Sequence, residues 1–237
     1  MIYLLVYGRN VALDLFQNSH SIRKIYLQDG FSCKNLNSYL DSYKSMIKIL
    51  SKIQMDDLVT GNHQGIILDI PDYSYQSLDT IYEKQASFVV VLDHIEDPHN
   101  LGAIIRTCEA AGVDAIILPI NRSCMINDTV IKTSVGAVFH MDIIPVVNLR
   151  NTIEELKKHS FWAVGTSLSD CSIDYRDIDY TSHIALVIGN EGKGISPLIE
   201  KTCDFIAKIP MYGTTNSLNV SVATGIMIYE VIRNRKR

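Results

Sequence analysis

Apolar and polar positions alternate in blocks along the second half of the chain. Six short runs rich in Val, Ile and other apolar residues are typical of strands, at residues 88–92, 115–118, 143–147, 162–164, 184–188 and 205–209. Segments with apolar residues at helical spacing separate several of them, at residues 100–111, 149–158 and 197–202. Near-continuous apolar strands that alternate with helices predict a mostly parallel sheet covered by helices on both faces.

One more helix is predicted from residue 220 onward. Apolar residues recur there at helical spacing, at Val220, Ala223, Met227, Ile228 and Val231. The loop before it, residues 213–219, consists of small polar residues that favour turns and helix caps, and either Ser217 or Asn219 could cap the helix. Pro210 ends the strand that precedes this loop.

The first 70 residues have the pattern of a separate, small α/β unit. We predict helices at residues 10–16 and 39–53, and strands at residues 22–27 and 64–68. On the second helix, Lys44, Lys48 and Lys52 recur every four residues, which is usual for a solvated helix face and less common for an RNA-binding one. Residues 71–86 are polar and aperiodic, so we predict a linker there and a second domain over residues 87–237.

Composition narrows the class of protein. A chain of 237 residues with 47% hydrophobic and 20% charged residues can form one large or two modest folded domains. No apolar run approaches the roughly 18 residues of a membrane helix, and the apolar start is too short for a signal peptide, so we expect a cytoplasmic protein. Five scattered cysteines without a C-x-x-C pair argue against a disulfide framework or a zinc site. The net charge of −4 gives no general case for nucleic acid.

Three segments of the second domain place polar residues and glycines directly after predicted strands. The first covers residues 92–112, where Asp97-Pro98 suits a helix N-cap followed by proline at the first helical position. It carries Asn100 and Arg106, which lie about 9 Å apart along a helix axis at roughly 1.5 Å per residue. An arginine in so apolar a helix is either paired with a carboxylate or reserved for an anion.

A metal site in this first segment is not favoured. Neither His94 nor His99 has the H-E-x-x-H spacing of a zinc enzyme. We therefore expect Asp93, Glu96 and Asp97 to form a solvated, helix-capping acidic loop.

The second segment is glycine-rich and the third is the loop of residues 209–219 before the last helix. In residues 188–197, three glycines occur within six residues, which suggests close backbone approach to a ligand. The segment is not a Walker A loop, because its Gly-to-Gly-Lys spacing is short and Gly194 stands where Ser or Thr is needed. The glycine spacing does not fit G-x-G-x-x-G either. What remains is Glu191 held in a glycine-rich turn, or simply a tight turn.

Together the three segments resemble the signature motifs of the SpoU (TrmH-like) branch of the SPOUT RNA methyltransferases. In order, they are similar to its N-x-G-A-x-x-R-T segment, its G-x-E-G-x-G turn and its S-L-N-V-S-V-A loop, and the similarity covers about residues 88–234. Residues 1–70, with Tyr7-Gly-Arg-Asn and His63-Gln-Gly-Ile, resemble the accessory RNA-binding domain of members that act on large-subunit rRNA, a domain similar to a ribosomal protein.

The resemblance implies a fold, a cofactor and a reaction. The implied fold is a knotted (trefoil) α/β methyltransferase domain, although knots are essentially absent among folds and sequence physics would not predict one. The implied reaction is methyl transfer from S-adenosylmethionine to a ribose 2′-hydroxyl by a homodimer without a metal. Family positions that contact the cofactor fall on Gly189, Ile209 and Leu218, and catalytic or substrate-orienting positions fall on Asn100, Arg106, Glu191, Ser217 and Asn219.

The substrate expected from the resemblance is a guanosine of 23S rRNA. A tRNA 2′-O-methyltransferase is the alternative within the same class. A non-catalytic RNA-binding module of the same fold is the alternative outside it, and the intact Asn100, Arg106 and Glu191 weigh against that alternative.

Overall fold

Two β-sheets form the framework of the structure, a computed structural model that describes residues 3–169, 171–190 and 194–235. Each sheet belongs to its own unit. The first unit is Met1–Ser74 with Ile126–Phe139, and the second is Tyr75–Met125 with His140–Arg237. The first boundary falls within the predicted linker, residues 71–86. Glu191, one of the predicted site residues, lies outside the described residues.

The first unit is built on a four-stranded sheet. In chain order its strands are β1 (Tyr3–Tyr7), β2 (Lys24–Gln28), β3 (Ile47–Leu50) and β4 (Ile66–Pro71). Their spatial order is β1-β4-β2-β3, with β4 antiparallel to both neighbours and β2 parallel to β3. The helices of residues 3–74 are α1 (Arg9–Gln17), α2 (Lys34–Ser42) and α3 (Lys52–Asp56).

The predicted helix over residues 39–53 is wrong. The segment contains the end of α2, a 3-10 turn at Lys44–Met46, β3 and the start of α3. Pairing of β3 with β2 overrides the helical spacing of its apolar residues. Ser51 then starts α3 through a capping box with Gln54. Because the three lysines of the predicted stripe lie in three different elements, they share no helix face.

The second unit is built on a seven-stranded sheet. Its strands are β5 (Phe88–Leu92), β6 (Ala115–Pro119), β7 (Asp142–Val146), β8 (Phe161–Thr166), β9 (Ile173–Asp174), β10 (His183–Ile188) and β11 (Phe205–Lys208). The order is β7-β6-β5-β10-β8-β11-β9, and every pair is parallel. The prediction of a mostly parallel sheet is confirmed. The trefoil knot stays a prediction.

The described residues between 75 and 235 form six α-helices, of which α6 belongs to the first unit. They are α4 (Asp79–Glu83), α5 (Pro98–Ala111), α6 (Asp128–Thr133), α7 (Leu149–Lys158), α8 (Pro197–Glu200) and α9 (Val220–Arg235). Helices α4, α7 and α8 bury Ile81, Ile153 and Ile199 in one apolar cluster with the sheet. Helix α9 packs along α5, and its Arg235 lies over the ring of Phe88 on the sheet's other face. Along the described parts of the chain, no helix combines the length and hydropathy that a membrane crossing requires.

In chain order, α6 comes between β6 and β7 of the second sheet. It nevertheless packs within the first unit. Val130 and Ile131 of α6 are buried, and the Lys132 ammonium lies 4.6 Å from the centre of the Tyr7 ring. The chain therefore passes between the two units three times, whereas the sequence pattern suggested a single linker.

Candidate functional site

A cavity of about 510 Å³ opens beside the ends of three strands of the second sheet. Residues after β8, β10 and β11 line it, and α9 contributes Val220 and Ala223. The carboxyl edge of a parallel sheet is where α/β proteins usually bind ligands, because strands end there and loops begin. Four predicted site residues are among those that line the cavity, namely Gly189, Ile209, Ser217 and Leu218.

Asn190 and Gly194, which follow β10, line one wall of the cavity and are paired by two backbone hydrogen bonds. The backbone N–H of Asn190 donates to the Gly194 oxygen, and the N–H of Gly194 donates to the Asn190 oxygen, both at 3.0 Å. A Cβ on Gly189 would lie 2.0 Å from the carbonyl carbon of Gly194 and 2.1 Å from the nitrogen of Ile195. Only glycine therefore fits at position 189, and the reason is close approach between two stretches of backbone.

Asp93, directly after β5, is buried and holds the backbone at Ser196 next to this wall. It is 2% exposed. Its Oδ2 accepts a hydrogen bond from the Ser196 N–H at 2.7 Å, and Oδ1 contacts His94 Nδ1. The side-chain amide of Asn190 donates to the His94 carbonyl at 2.7 Å. The prediction of a solvated acidic loop is thus wrong for Asp93. Burying a carboxylate is costly unless it is hydrogen-bonded, and the Ser196 N–H and His94 supply the partners of this one.

The acidic segment also contains the predicted N-cap of α5, Asp97, and was considered as a metal site. Asp97 caps α5 by accepting from the backbone N–H groups of His99 and Asn100, both at 3.2 Å, and Pro98 is the first helical residue. The predicted cap is confirmed. Across the described residues, no group of three or more His, Cys, Asp or Glu side chains is placed to hold a metal ion.

Asn100 and Asn219 connect the starts of α5 and α9. The Asn219 Nδ2 donates to Asn100 Oδ1 at 3.0 Å, across 119 positions of sequence. Asn219 Oδ1 accepts from the Ser221 N–H at 2.9 Å and from its hydroxyl at 2.6 Å. Of the two predicted caps for α9, Asn219 is the one observed. Its amide orientation follows from this network, since the oxygen faces two donors and the nitrogen faces an acceptor.

Arg106 lies two turns along α5 from Asn100, and its side chain is exposed. Among the described residues, no carboxylate is within salt-bridge distance of its guanidinium. Of the two roles expected for an arginine in this apolar helix, binding an external anion is the one these surroundings favour.

One wall of the cavity consists of residues that carry no recognisable motif. Residues 166–169, which are the last residue of β8 and the three after it, line the cavity together with Lys208 and Met211. Nothing in their residue types marks them, but their position does, because they follow a strand that neighbours β10 in the parallel sheet.

Comparison with known proteins assigns this architecture to a family. The model of the SpoU rRNA Methylase family matches residues 87–229, which is more than half of the chain. The chain belongs to this family. A second model, described as RNA 2′-O ribose methyltransferase substrate binding, matches residues 5–76. The resemblance inferred from the three motifs is therefore confirmed.

Two similar proteins align over nearly the whole length of this chain, and a third aligns over about two thirds of it. A Staphylococcus epidermidis protein, named for the TrmH family of tRNA/rRNA methyltransferases, is 42% identical over 240 residues, covering 98% of this chain and 96% of its own. The AdoMet-bound rRNA methyltransferase of Sinorhizobium meliloti is 26% identical with a TM-score of 0.83, covering 98% of this chain and 87% of its own. The TrmH/SpoU tRNA modifying enzyme of A. aeolicus is 39% identical with a TM-score of 0.60, covering 64% and 77%.

Proposed function

We propose that this protein transfers a methyl group from S-adenosylmethionine to a ribose 2′-hydroxyl in RNA. The observation that carries the proposal is the convergence of the motifs on one edge of the second sheet. Gly189 of the second motif lines a single cavity with Ile209 and Leu218 of the third, and the Asn100–Asn219 hydrogen bond connects the first motif to the third. Family membership supplies the class of reaction.

The cavity suits S-adenosylmethionine in size and chemistry. Its volume of about 510 Å³ is within the usual range of small-ligand sites. Ile188, Ile209, Met211 and Leu218 supply apolar surface for the adenine ring. At Gly189 the missing side chain lets two backbone segments approach closely, which shapes the wall. When bound, the cofactor supplies a methyl group on a positively charged sulfur.

The side chains around the cavity would bind and orient the RNA. The guanidinium of Arg106 can hold a phosphate with two parallel hydrogen bonds. Ser217, at the cavity, would position the ribose by its hydroxyl. Asn100 and Asn219 would keep the two helix starts in register. The resemblance adds Glu191 to this group.

For the substrate, we propose a guanosine of 23S rRNA. The support is the extent of similarity, because the S. meliloti rRNA methyltransferase aligns with 98% of this chain and the A. aeolicus tRNA modifying enzyme with only 64%. A tRNA substrate is the second candidate, favoured by the 39% identity to that enzyme. A non-catalytic RNA-binding module is the third.

We also propose that the protein is a cytoplasmic homodimer. Helix α9 buries Met227 and Val231 on one face, yet Val222 and Tyr229 on another face are 51% and 54% exposed. A helix that is apolar on more than one face is usually packed on both. Light scattering that shows a stable monomer at micromolar concentration would contradict the dimer.

The substrate is tested by methyl incorporation from labelled S-adenosylmethionine into two RNAs. Deproteinised 23S rRNA and bulk tRNA, both from a strain that lacks the corresponding gene, are offered separately, with Arg106→Ala as the inactive control. Label in 23S rRNA supports the proposal. The methylated nucleotide is then identified by mapping, because a 2′-O-methyl group protects the adjacent phosphodiester from alkaline cleavage. Label only in tRNA would select the second candidate, and label in neither would favour the non-catalytic module.

A further inference from the structure

The first unit contains a second and larger cavity, of about 880 Å³. The start of α1, the turn after β2, α3 and the turn before β4 all contribute to its lining. Both short motifs that resembled an RNA-binding domain reach it, through Arg9 and Asn10 in one case and through Gln64 in the other. It lies entirely within residues 9–65 and so belongs to one unit.

In the turn before β4, Gln64 has a left-handed backbone conformation that is stabilised by hydrogen bonds from Arg9. Gln64 has a φ of 53°, which is uncommon for a residue other than glycine. Its Oε1 accepts from the Arg9 N–H at 2.8 Å, and its backbone oxygen accepts from Arg9 Nε at 3.3 Å. Buried His63 accepts from the Gly65 N–H at 2.9 Å through Nδ1, while Nε2 lies 3.0 Å from Asp56. The cavity wall is therefore preorganised.

The lining combines a stacking surface with free amide groups. The guanidinium carbon of Arg9 lies 5.5 Å from the centre of the Phe31 ring. Gly65 lies against the same ring, because a Cβ there would be 2.7 Å from Phe31 Cδ2. The side-chain amides of Asn10 and Gln28 also face the cavity and make no hydrogen bond to other described residues. Each offers both a donor and an acceptor.

The charges of the lining favour a nucleotide over a bare anion. Arg9 and Lys52 bring two positive charges, and Asp29 and Asp56 bring two negative ones, so the cavity has no large excess of either sign. An unpaired base needs a planar partner for stacking and amides for its hydrogen-bonding edge, and its flanking phosphate needs one or two cations. The cavity holds each of these groups.

We infer that this cavity binds one unpaired nucleotide of the RNA substrate, with the base on the Arg9–Phe31 pair and its edge toward Asn10 and Gln28. The inference rests on the proposed function, because RNA is taken as the ligand. It adds the site within the first unit and the state of the RNA, which must be locally single-stranded.

The test measures binding of deproteinised 23S rRNA by the full chain without S-adenosylmethionine. Three variants act on the cavity: Phe31→Leu, the Asn10→Ala/Gln28→Ala pair, and Lys52→Ala. Matched controls outside it are Asn35→Ala and Lys44→Ala, which change an exposed amide and an exposed cation of the same unit. We expect Phe31→Leu to weaken binding roughly tenfold, as for one lost stacking contact. The amide pair should weaken it by a similar factor, roughly tenfold, because it removes the hydrogen bonds to the base edge. Lys52→Ala should reduce the salt dependence by about one phosphate contact.

Further measurements keep the inference separate from the proposed function. Calorimetric binding of S-adenosylmethionine should be the same in all variants, which shows that the second unit is intact. An unchanged far-UV circular dichroism spectrum and melting temperature show that the first unit is folded. Single-stranded RNA should compete with 23S rRNA, whereas a duplex of equal length should compete poorly. Normal affinity in all three cavity variants, or equal competition by the duplex, would overturn the inference even if methylation is observed. If RNA is bound through the cavity but never methylated, only the proposed function fails, and if the wild type binds no RNA, both fail.

Discussion

The hydrogen bond between Asn100 and Asn219 can be separated from the capping role of Asn219 by substitution. Asn219→Ala removes both the cap of α9 and the donor to Asn100, whereas Asn219→Asp keeps an oxygen for the Ser221 N–H and removes only the donor. Asn148→Ala is a matched control, because Asn148 caps α7 through the Asn151 N–H at 3.1 Å.

The expected losses follow from the contacts that each variant removes. A helix cap contributes about 1 kcal/mol, and a net hydrogen bond about as much. Asn219→Ala should therefore lower the free energy of unfolding by about 2 kcal/mol and Asn148→Ala by about 1 kcal/mol. Asn219→Asp should lose about 1 kcal/mol, since its cap is retained while its carboxylate faces the Asn100 oxygen. In a double-mutant cycle, Asn100→Ala and Asn219→Ala should show a coupling of about 1 kcal/mol.

Urea unfolding followed by tryptophan fluorescence provides the assay. The protein has a single tryptophan, Trp162 on β8, so the signal reports the second unit in which these asparagines lie. The slope of free energy against urea must stay constant for the comparison to hold. A coupling below about 0.3 kcal/mol, the usual error of additivity, would refute the argument that this hydrogen bond stabilises the site. The cycle of Asn100→Ala with Asn148→Ala should show no coupling.

Three further predictions concern the cavity, the catalytic arginine and the pH dependence of stability. Gly189→Ala should weaken binding of S-adenosylmethionine at least tenfold in calorimetry, because its Cβ would lie 2.0 Å from backbone, whereas Gly213→Ala, with nothing within 4 Å, should bind normally; equal affinities would contradict this. Arg106→Ala and Arg106→Lys should both lower kcat by two to three decades, on the order of 3–4 kcal/mol, with cofactor affinity unchanged, because lysine lacks the planar donor fork; near-normal turnover of either variant would count against the assignment. Burial and the charge of Glu155 raise the pKa of Tyr82 to about 12, so its contribution to stability is present below its ordinary value of 10.0 and is lost as the pH rises toward 12. Tyr82→Phe should flatten the alkaline limb of a stability–pH curve, and an unchanged limb would contradict this.

The parallel sheet could be predicted because its strands are buried on both faces. Each central strand is then a continuous apolar run that can be recognised in the local sequence, as at residues 88–92 and 184–188. The helix predicted over residues 39–53 failed for the complementary reason. Its apolar spacing suits a helix, but the strand Ile47–Leu50 is stabilised by pairing with β2, a partner about 20 residues earlier that periodicity cannot detect.

The candidate site shows the same division between local and long-range information. The cap at Asp97 could be predicted because its partners are two and three residues away. The burial of Asp93 could not, because its partner Ser196 lies 103 positions further along the chain. Packing of residues 126–139 in the first unit was also missed, since this depends on contacts such as that between Lys132 and Tyr7.

The position of the transferred methyl group tests the central claim most directly. The full-length protein is incubated with 23S rRNA and S-adenosylmethionine that carries a deuterated methyl group, the RNA is digested to nucleosides, and tandem mass spectrometry assigns the label to ribose or base. The account predicts deuterium on the ribose fragment of one nucleoside, guanosine, and none after incubation with Arg106→Ala. Deuterium on a base fragment, or equal labelling by Arg106→Ala, would contradict it.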